Sequence, residues 1–295
     1  MNASPVLASR KYRKRSQLAE VWHRLRKNKG AMFGLFIIVM LALVALSVDF
    51  LLDYDTQVIT QSISQRLQHP SAQHIMGTDD LGRDIFFRLI YGSRFSLSVG
   101  IVAVAIALAV GTTLGAFAGY YGGVVEDVIM RATDIFASVP NLLMAIVIVA
   151  ALGANTLNLM IAVGVTSVPQ FVRITRASVL TVRNQEYVEA ARAIGISEVR
   201  IIFTHILTNC LSPIIVQTTL RVASAIISAS SLSFLGLGVP APAPEWGSML
   251  SAGRRFLRGY SYMTMFPGLA IMITVLAFNM VGDGLRDALD PKLKK

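Results

Sequence analysis

Five polar residues set in an apolar run have the most chemistry to explain. Gln217, Arg221, Ser224, Ser228 and Ser231 recur at i, i+4, i+7, i+11 and i+14, so they share one face of a helix. An arginine well inside a membrane costs at least about 2.5 kcal/mol unless it meets water or a partner. That face is therefore expected to line a path for a polar solute or to meet a second polypeptide, with Arg221 placed to attract a carboxylate. Alternatively, Arg221 reaches toward the aqueous edge or pairs with an acid on a neighbouring helix. Enzymatic chemistry has less to stand on. Asp283, Arg286, Asp287 and Asp290 leave the last apolar run on successive turns ahead of Pro291, with no nucleophile and general base beside them, and read as a solvated helix end. No G-x-x-x-x-G-K-[ST] loop is present to hold ATP. The four histidines, His23, His69, His74 and His205, are scattered, and Cys210 is the single cysteine. Neither metal-ligand spacing nor an intrachain disulfide follows.

The second candidate is a charged insert, Glu186 to Asn209, between two apolar runs. Asn184 can cap a helix whose first turn carries Glu186. Tyr187, Ala190, Ala191 and Ile194 recur at i, i+3, i+4 and i+7 as an apolar stripe, with Glu186, Glu189 and Arg192 on the other side. Gly195 stops the helix in the left-handed conformation, and Ser197 with Glu198 starts a second helix that runs to about Leu207. Such an element on the water side of a membrane chain reads as a docking device. A helix lying on the lipid surface is the alternative, but its polar face is mixed in sign and the helix is broken by glycine.

The elements that must position these residues are membrane spans. The 295 residues are 54% apolar and 15% charged, with mean hydropathy +0.60. The formal charge of +10 gathers in the first thirty positions and between apolar runs, which fits orientation in a membrane rather than nucleic acid. Residues 1–30 form a basic segment expected in the cytoplasm, and 31–52 the first spanning anchor, too long in its apolar run for a cleaved signal peptide. An outer loop with an amphipathic helix is expected over 53–94, where Thr78 caps a helix carrying Leu81, Ile85, Leu89 and Ile90 and an Asp84–Arg88 pair. Residues 95–285 hold five further spans, near Phe95–Tyr120, Ile135–Leu152, Leu157–Val172, Ser212–Leu237 and Pro267–Val281, with the insert (184–209) inside and a second outer loop at 238–264. A tight glycine turn at Gly119–Gly123 joins the second and third spans, and Arg131 is expected to pair with Asp127 and Asp134 along one helix. Trp246 suits the membrane interface, and the tail (286–295) returns to the cytoplasm.

Glu189-Ala190-Ala191 followed by Gly195 resembles the EAA loop of ATP-binding-cassette importer permeases. MGTDDLGRDIFFRLIYGSR (76–94), PAPAPEWGSML (240–250) and FNMVGDGLRDALDPKLK (278–294) resemble the second, C-type permease subunit of the dipeptide, oligopeptide and nickel importers. The resemblance covers nearly the whole chain. It implies an all-α polytopic membrane protein with six transmembrane helices and the type I ABC importer permease fold, its coupling helices inside the cell. Glu186, Glu189, Ala190, Ala191, Arg192 and Gly195 are then expected to couple to an ATPase, and Gln217, Arg221, Ser224 and Ser228 to lie on the translocation path. Where the family has Ile and Leu-Pro, this chain has His205 and Leu207-Thr208, which leaves open where the second helix ends.

The implied activity is half of a transport path, not catalysis. The partners would be a homologous second permease forming a heterodimer, two cytoplasmic ATP-binding subunits, a periplasmic or lipid-anchored substrate-binding protein, and membrane lipids, with no nucleic acid. The chain itself needs no cofactor or metal, while ATP and magnesium belong to the ATPases. The location implied is a bacterial inner membrane with both termini cytoplasmic. A di- or oligopeptide is the expected cargo, with a nickel or other metal-chelate complex as the alternative. A passive channel or membrane scaffold would need no EAA-like loop, and an intramembrane enzyme would need paired catalytic groups.

Overall fold

The computed structural model describes residues 17–289; the remaining basic N-terminal residues, and Asp290, Pro291 and the lysines of the tail, lie outside the described residues. Twelve helical segments are named here. Helix α1 (Gln17–Leu25) leads into α2 (Lys29–Leu51), α3 (Ile85–Tyr121), α4 (Gly123–Ser138), α5 (Asn141–Leu152) and α6 (Thr156–Val182). The insert supplies α7 (Glu186–Ala193), α8 (Glu198–Arg200) and α9 (Leu207–Asn209), and the chain ends with α10 (Leu211–Phe234), α11 (Trp246–Gly253) and α12 (Tyr262–Leu289). Among the described residues there is no strand, only an isolated bridge between Thr78 and Asp84.

Helices α2, α3, α6, α10 and α12 are each long and apolar enough to cross a membrane, and α4 with α5, bent by 90° at a short break, reaches that length and hydropathy only as a pair. The break falls at Val139–Pro140, inside the run expected as one span (135–152). Proline disfavours helical backbone in the residue before it, and Val139 is extended, with φ −91° and ψ 132°. The other ends also differ from the apolar runs, because capping groups decide them. Asp84 accepts from the amides of Phe86 (2.8 Å) and Phe87 (3.4 Å). Helix α3 therefore starts at Ile85 and continues unbroken through Phe95, so the separate amphipathic helix capped by Thr78 does not form. The Thr78 hydroxyl is engaged instead, donating to the Gln65 carbonyl and accepting from the Gln68 amide.

Helix α3 is the axis of the bundle. Gly111, Gly115 and Gly119 lie four apart along it, and a Cβ on them would stand 2.5 Å from Phe171 Cβ, 2.5 Å from the Val172 carbonyl oxygen and 2.8 Å from Val179 Cβ respectively. The bare backbone thus lets α6 approach to contact, the small-residue packing that membrane helices use where lipid supplies no hydrophobic drive. Gly100 does the same toward Ile226 on α10. Around this seam Val99, Ala103, Ala107, Leu159, Val163, Phe171 and Ile226 are buried in the main core.

Candidate functional site

At one end of the bundle the insert folds as a helix, a turn and a second helix. Gln185, not Asn184, precedes α7, and it makes no side-chain cap bond. Gly195 takes φ +82°, its amide donates to the Arg192 carbonyl, and the Ile196 amide donates back to Ala191 (3.2 Å), a Schellman-type ending. The second helix runs from α8 through a π-helical stretch, Ile201–Ile206, into α9, and ends at Cys210. It thus passes Leu207-Thr208 by only a few residues before α10 begins.

Of the apolar stripe expected along α7 only Ala191 turns inward, joined by Val188, which lies outside that stripe. Val188 and Ala191 are buried, with Ile201, Ile202 and Ile206, against Ala116 and Tyr120 of α3 and Val179 of α6. Tyr187, Ala190 and Ile194 face outward, Ile194 being 77% exposed. Glu186 and Glu189 are exposed as well. Arg192 is half of a clamp: its guanidinium donates to the Tyr120 hydroxyl at 3.1 Å and lies 5.6 Å over that ring. Just before α7, Arg183 ties the end of α6 to α3, donating to the Gly119 carbonyl at 2.9 Å. Helix α7 is held by one face and offers the other. Burial in apolar surroundings pushes the Cys210 thiol up to about 11, so this cysteine is an inert packing residue.

The charges beside this end pair across helices rather than along one. Asp134 bonds Arg173 (2.8 Å) and Glu126 bonds Arg176, both joining α4 to α6. Arg131, expected to bridge Asp127 and Asp134, is exposed, and no ion pair involves it among the described residues. The long spacing of the partners hid these pairs from the sequence.

The polar stripe on α10 is only partly covered by the described residues. Ser224 is exposed and Gln217, Arg221, Ser228 and Ser231 are half-buried. Ser224 and Ser231 turn their hydroxyls back to the Leu220 and Ile227 carbonyls, while no acid of the described chain pairs with Arg221. Pairing with an acid of the described chain is thus removed as an explanation of Arg221.

The other end is closed by the two long loops. Buried Asp79 accepts from the Leu81 and Arg83 amides and from Arg83 Nε at 2.7 Å, with Arg88 Nε at 3.6 Å. Arg88 donates onward to the Val58 and Pro242 carbonyls. It is thus tied to both loops rather than to Asp84, which bonds His74. Tyr262 donates to the Gln68 and Thr78 carbonyls. Trp246, expected at the lipid interface, is 1% exposed and donates its indole N–H to the Leu89 carbonyl. Gly92 makes room for this loop, since a Cβ there would meet the Pro244 carbonyl oxygen at 2.0 Å. Exposed Asp283, Arg286 and Asp287 bear out a solvated helix end.

Five long apolar helices and a bent α4–α5 pair, with a clamped helix-turn-helix at one end, define a multi-pass membrane protein. The chain belongs to the family of binding-protein-dependent transport system inner membrane components, whose model matches residues 111–295. Residues 16–70 match the N-terminal transmembrane domain of oligopeptide transport permease C. It is 50% identical to the dipeptide transport system permease protein DppC of Alkalihalophilus pseudofirmus over 93% of this chain and 90% of that one. To the di/tripeptide permease DppC of Pseudomonas aeruginosa it is 43% identical, covering 95% and 93%. The glutathione transport system permease protein GsiD of Escherichia coli is also 43% identical, over 100% and 96%. A chain of the inward-facing MetNI methionine ABC transporter superposes with TM-score 0.57 at 16% identity, covering 70% of this chain and 98% of that one. The fold is that of a type I ABC importer permease.

Proposed function

We propose that this chain is one half of the membrane path of an importer of di- or oligopeptides, driven by ATPase subunits that dock on α7. The observation that carries the reading is the division of α7. Its inner face is locked to α3 and α6, while Tyr187, Ala190 and Ile194 stand bare beside Glu186, Glu189 and Gly195. A helix so held passes a push on its outer face directly to two spans. Glu189, Ala190 and Gly195 are then contact residues, and Ala191 and Arg192 transmit the movement inward. ATP and magnesium are held by the partners, and this chain performs no hydrolysis.

The α7 end faces the cytoplasm in this reading, in keeping with Arg173, Arg176, Arg183, Arg192 and Arg200 near it. The loop end then faces the periplasm and a substrate-binding protein. The partly covered stripe of α10, Gln217, Arg221, Ser224 and Ser228, meets the path or a homologous second permease. The names of the relatives favour peptide over a nickel chelate.

The test is ATP-dependent uptake into vesicles holding this chain with its second permease, ATPases and binding protein, comparing di- and tripeptides with nickel chelates. Peptide uptake lost on Gly195→Pro, which removes an amide donor from the turn, is the expected result. ATP-independent flux would overturn the coupling, and uptake of nickel alone would overturn the cargo.

A further inference from the structure

A cavity of about 400 Å³ opens at the loop end, between the tip of α10, the α5–α6 turn and α11. Ligand pockets begin at about 300 Å³. Its wall is apolar at Val239 and Pro240, and carries Asp80 from the first loop and Arg254 and Arg255 from the end of α11. Both arginines are exposed and Asp80 is half-buried. Asp80 follows Asp79, which the Arg83 and Arg88 guanidiniums hold buried. Arg254 lies 5.1 Å over the Phe234 ring. Yet among the described residues neither Asp80 nor either arginine belongs to an ion pair.

An acid and two arginines that line one cavity without pairing to each other place both signs of charge at its wall. Their complement is a small zwitterion with separated ends. A metal chelate or a neutral solute would leave one or both signs unanswered. Resting on the peptide cargo argued above, we propose that this cavity is a subsite for the free termini of a short peptide, with Asp80 receiving the α-ammonium and Arg254 and Arg255 the terminal carboxylate. Val239 and Pro240 offer apolar contact beside Ser233, Ser248 and Ser251, a mixed wall that accepts varied peptide side chains. Arginine suits the carboxylate because its planar fork can bond both oxygens.

The cavity can be tested without transport. Cys210, the single cysteine of the sequence, is buried, so a cysteine placed on the lining, Ala252→Cys, is the accessible thiol of this chain, and labelling is read on this chain after the subunits of the complex are separated. Its rate of modification by a methanethiosulfonate reagent is measured without the binding protein, in the presence of dialanine, N-acetyl-dialanine, dialanine amide or the doubly blocked form. Dialanine should slow modification, and each block should weaken that protection about tenfold in concentration, the value of one charge-assisted bond. Asp80→Asn should erase the penalty of N-acetylation alone, and Arg255→Gln should reduce that of amidation. Ala154→Cys, on the opposite wall, repeats the measurement should the first variant fail to assemble. Equal protection by free and blocked dialanine, or none from any form, overturns the subsite. Failure of the cargo reading is separate, since it would show as absent peptide uptake by the unmodified complex.

Discussion

Glu245 does at residue scale what no pattern in its neighbourhood announces. It is 1% exposed, and its carboxylate accepts from the Gly247 and Ser248 amides at 2.9 Å each, and from Ser96 across to α3. Burial pushes its pKa up, against the pull of those donors. A carboxyl whose folded pKa lies above its unfolded value gives its full stability below the unfolded value, near 4.5, and loses it as pH rises through the folded one. Glu245→Gln does not titrate. The thermal midpoint of the wild-type chain, relative to Glu245→Gln, should therefore fall as pH is raised from 5 to 8. A pH-independent difference would show that the carboxyl is not held against ionisation. Sequence placed the neighbouring Trp246 in a lipid belt because aromatic residues favour interfaces. The indole is instead drawn inward by the Leu89 carbonyl, a partner 157 residues away. By contrast Gly195 was legible, since a glycine ending a short amphipathic helix has one common use.

Elements divide in the same way into what local chemistry fixes and what tertiary contact fixes. The apolar runs of α2, α3, α6, α10 and α12 were readable because length and hydropathy alone demand them. The start of α3 and the break between α4 and α5 were not, because Asp84 and Pro140 act through a single cap and a single dihedral. Helix α7 shows the limit best. Its stripe was legible as apolar, but that Ala191 alone of it turns inward, with Val188 beside it, depends on Tyr120 and Val179, far off in sequence. The inner and outer faces predict different phenotypes. Arg192→Gln removes a hydrogen bond and a cation–π contact, together about 1–2 kcal/mol. Amide exchange over 186–193 should then quicken by about tenfold. Ile194→Ser removes only exposed surface, so stability should stay within about 0.5 kcal/mol while retention of the ATPase during purification drops. Loss of ATPase without faster exchange in Arg192→Gln, or unfolding in Ile194→Ser, would reverse the roles assigned to the two faces.

For the whole molecule, α3 decides how a push at one end is felt elsewhere. Its 37 residues span about 55 Å at 1.5 Å per residue. Arg88 in its first turn ties the loop end and Tyr120 in its last turn meets α7. The glycine seam with α6 has no slack, since even a methyl at Gly115 would stand 2.5 Å from the Val172 carbonyl. Helices α3 and α6 must then move as one body when α7 is displaced. Helix α5 is joined to α4 through the 90° break and meets the core through the buried side chains Ala145 and Val149, a seam with no glycine to bring the backbones together and so one that can shift more readily. Spin labels on the outward faces of α3 and α6 in the assembled complex should keep their separation within about 2 Å between nucleotide-free and ATP-bound states. A label pair from α3 to α5 should change by more. A rigid α3–α5 pair with a shifting α3–α6 pair would mean that the glycine seam slides, and that the bent α4–α5 pair is the fixed frame against which it moves.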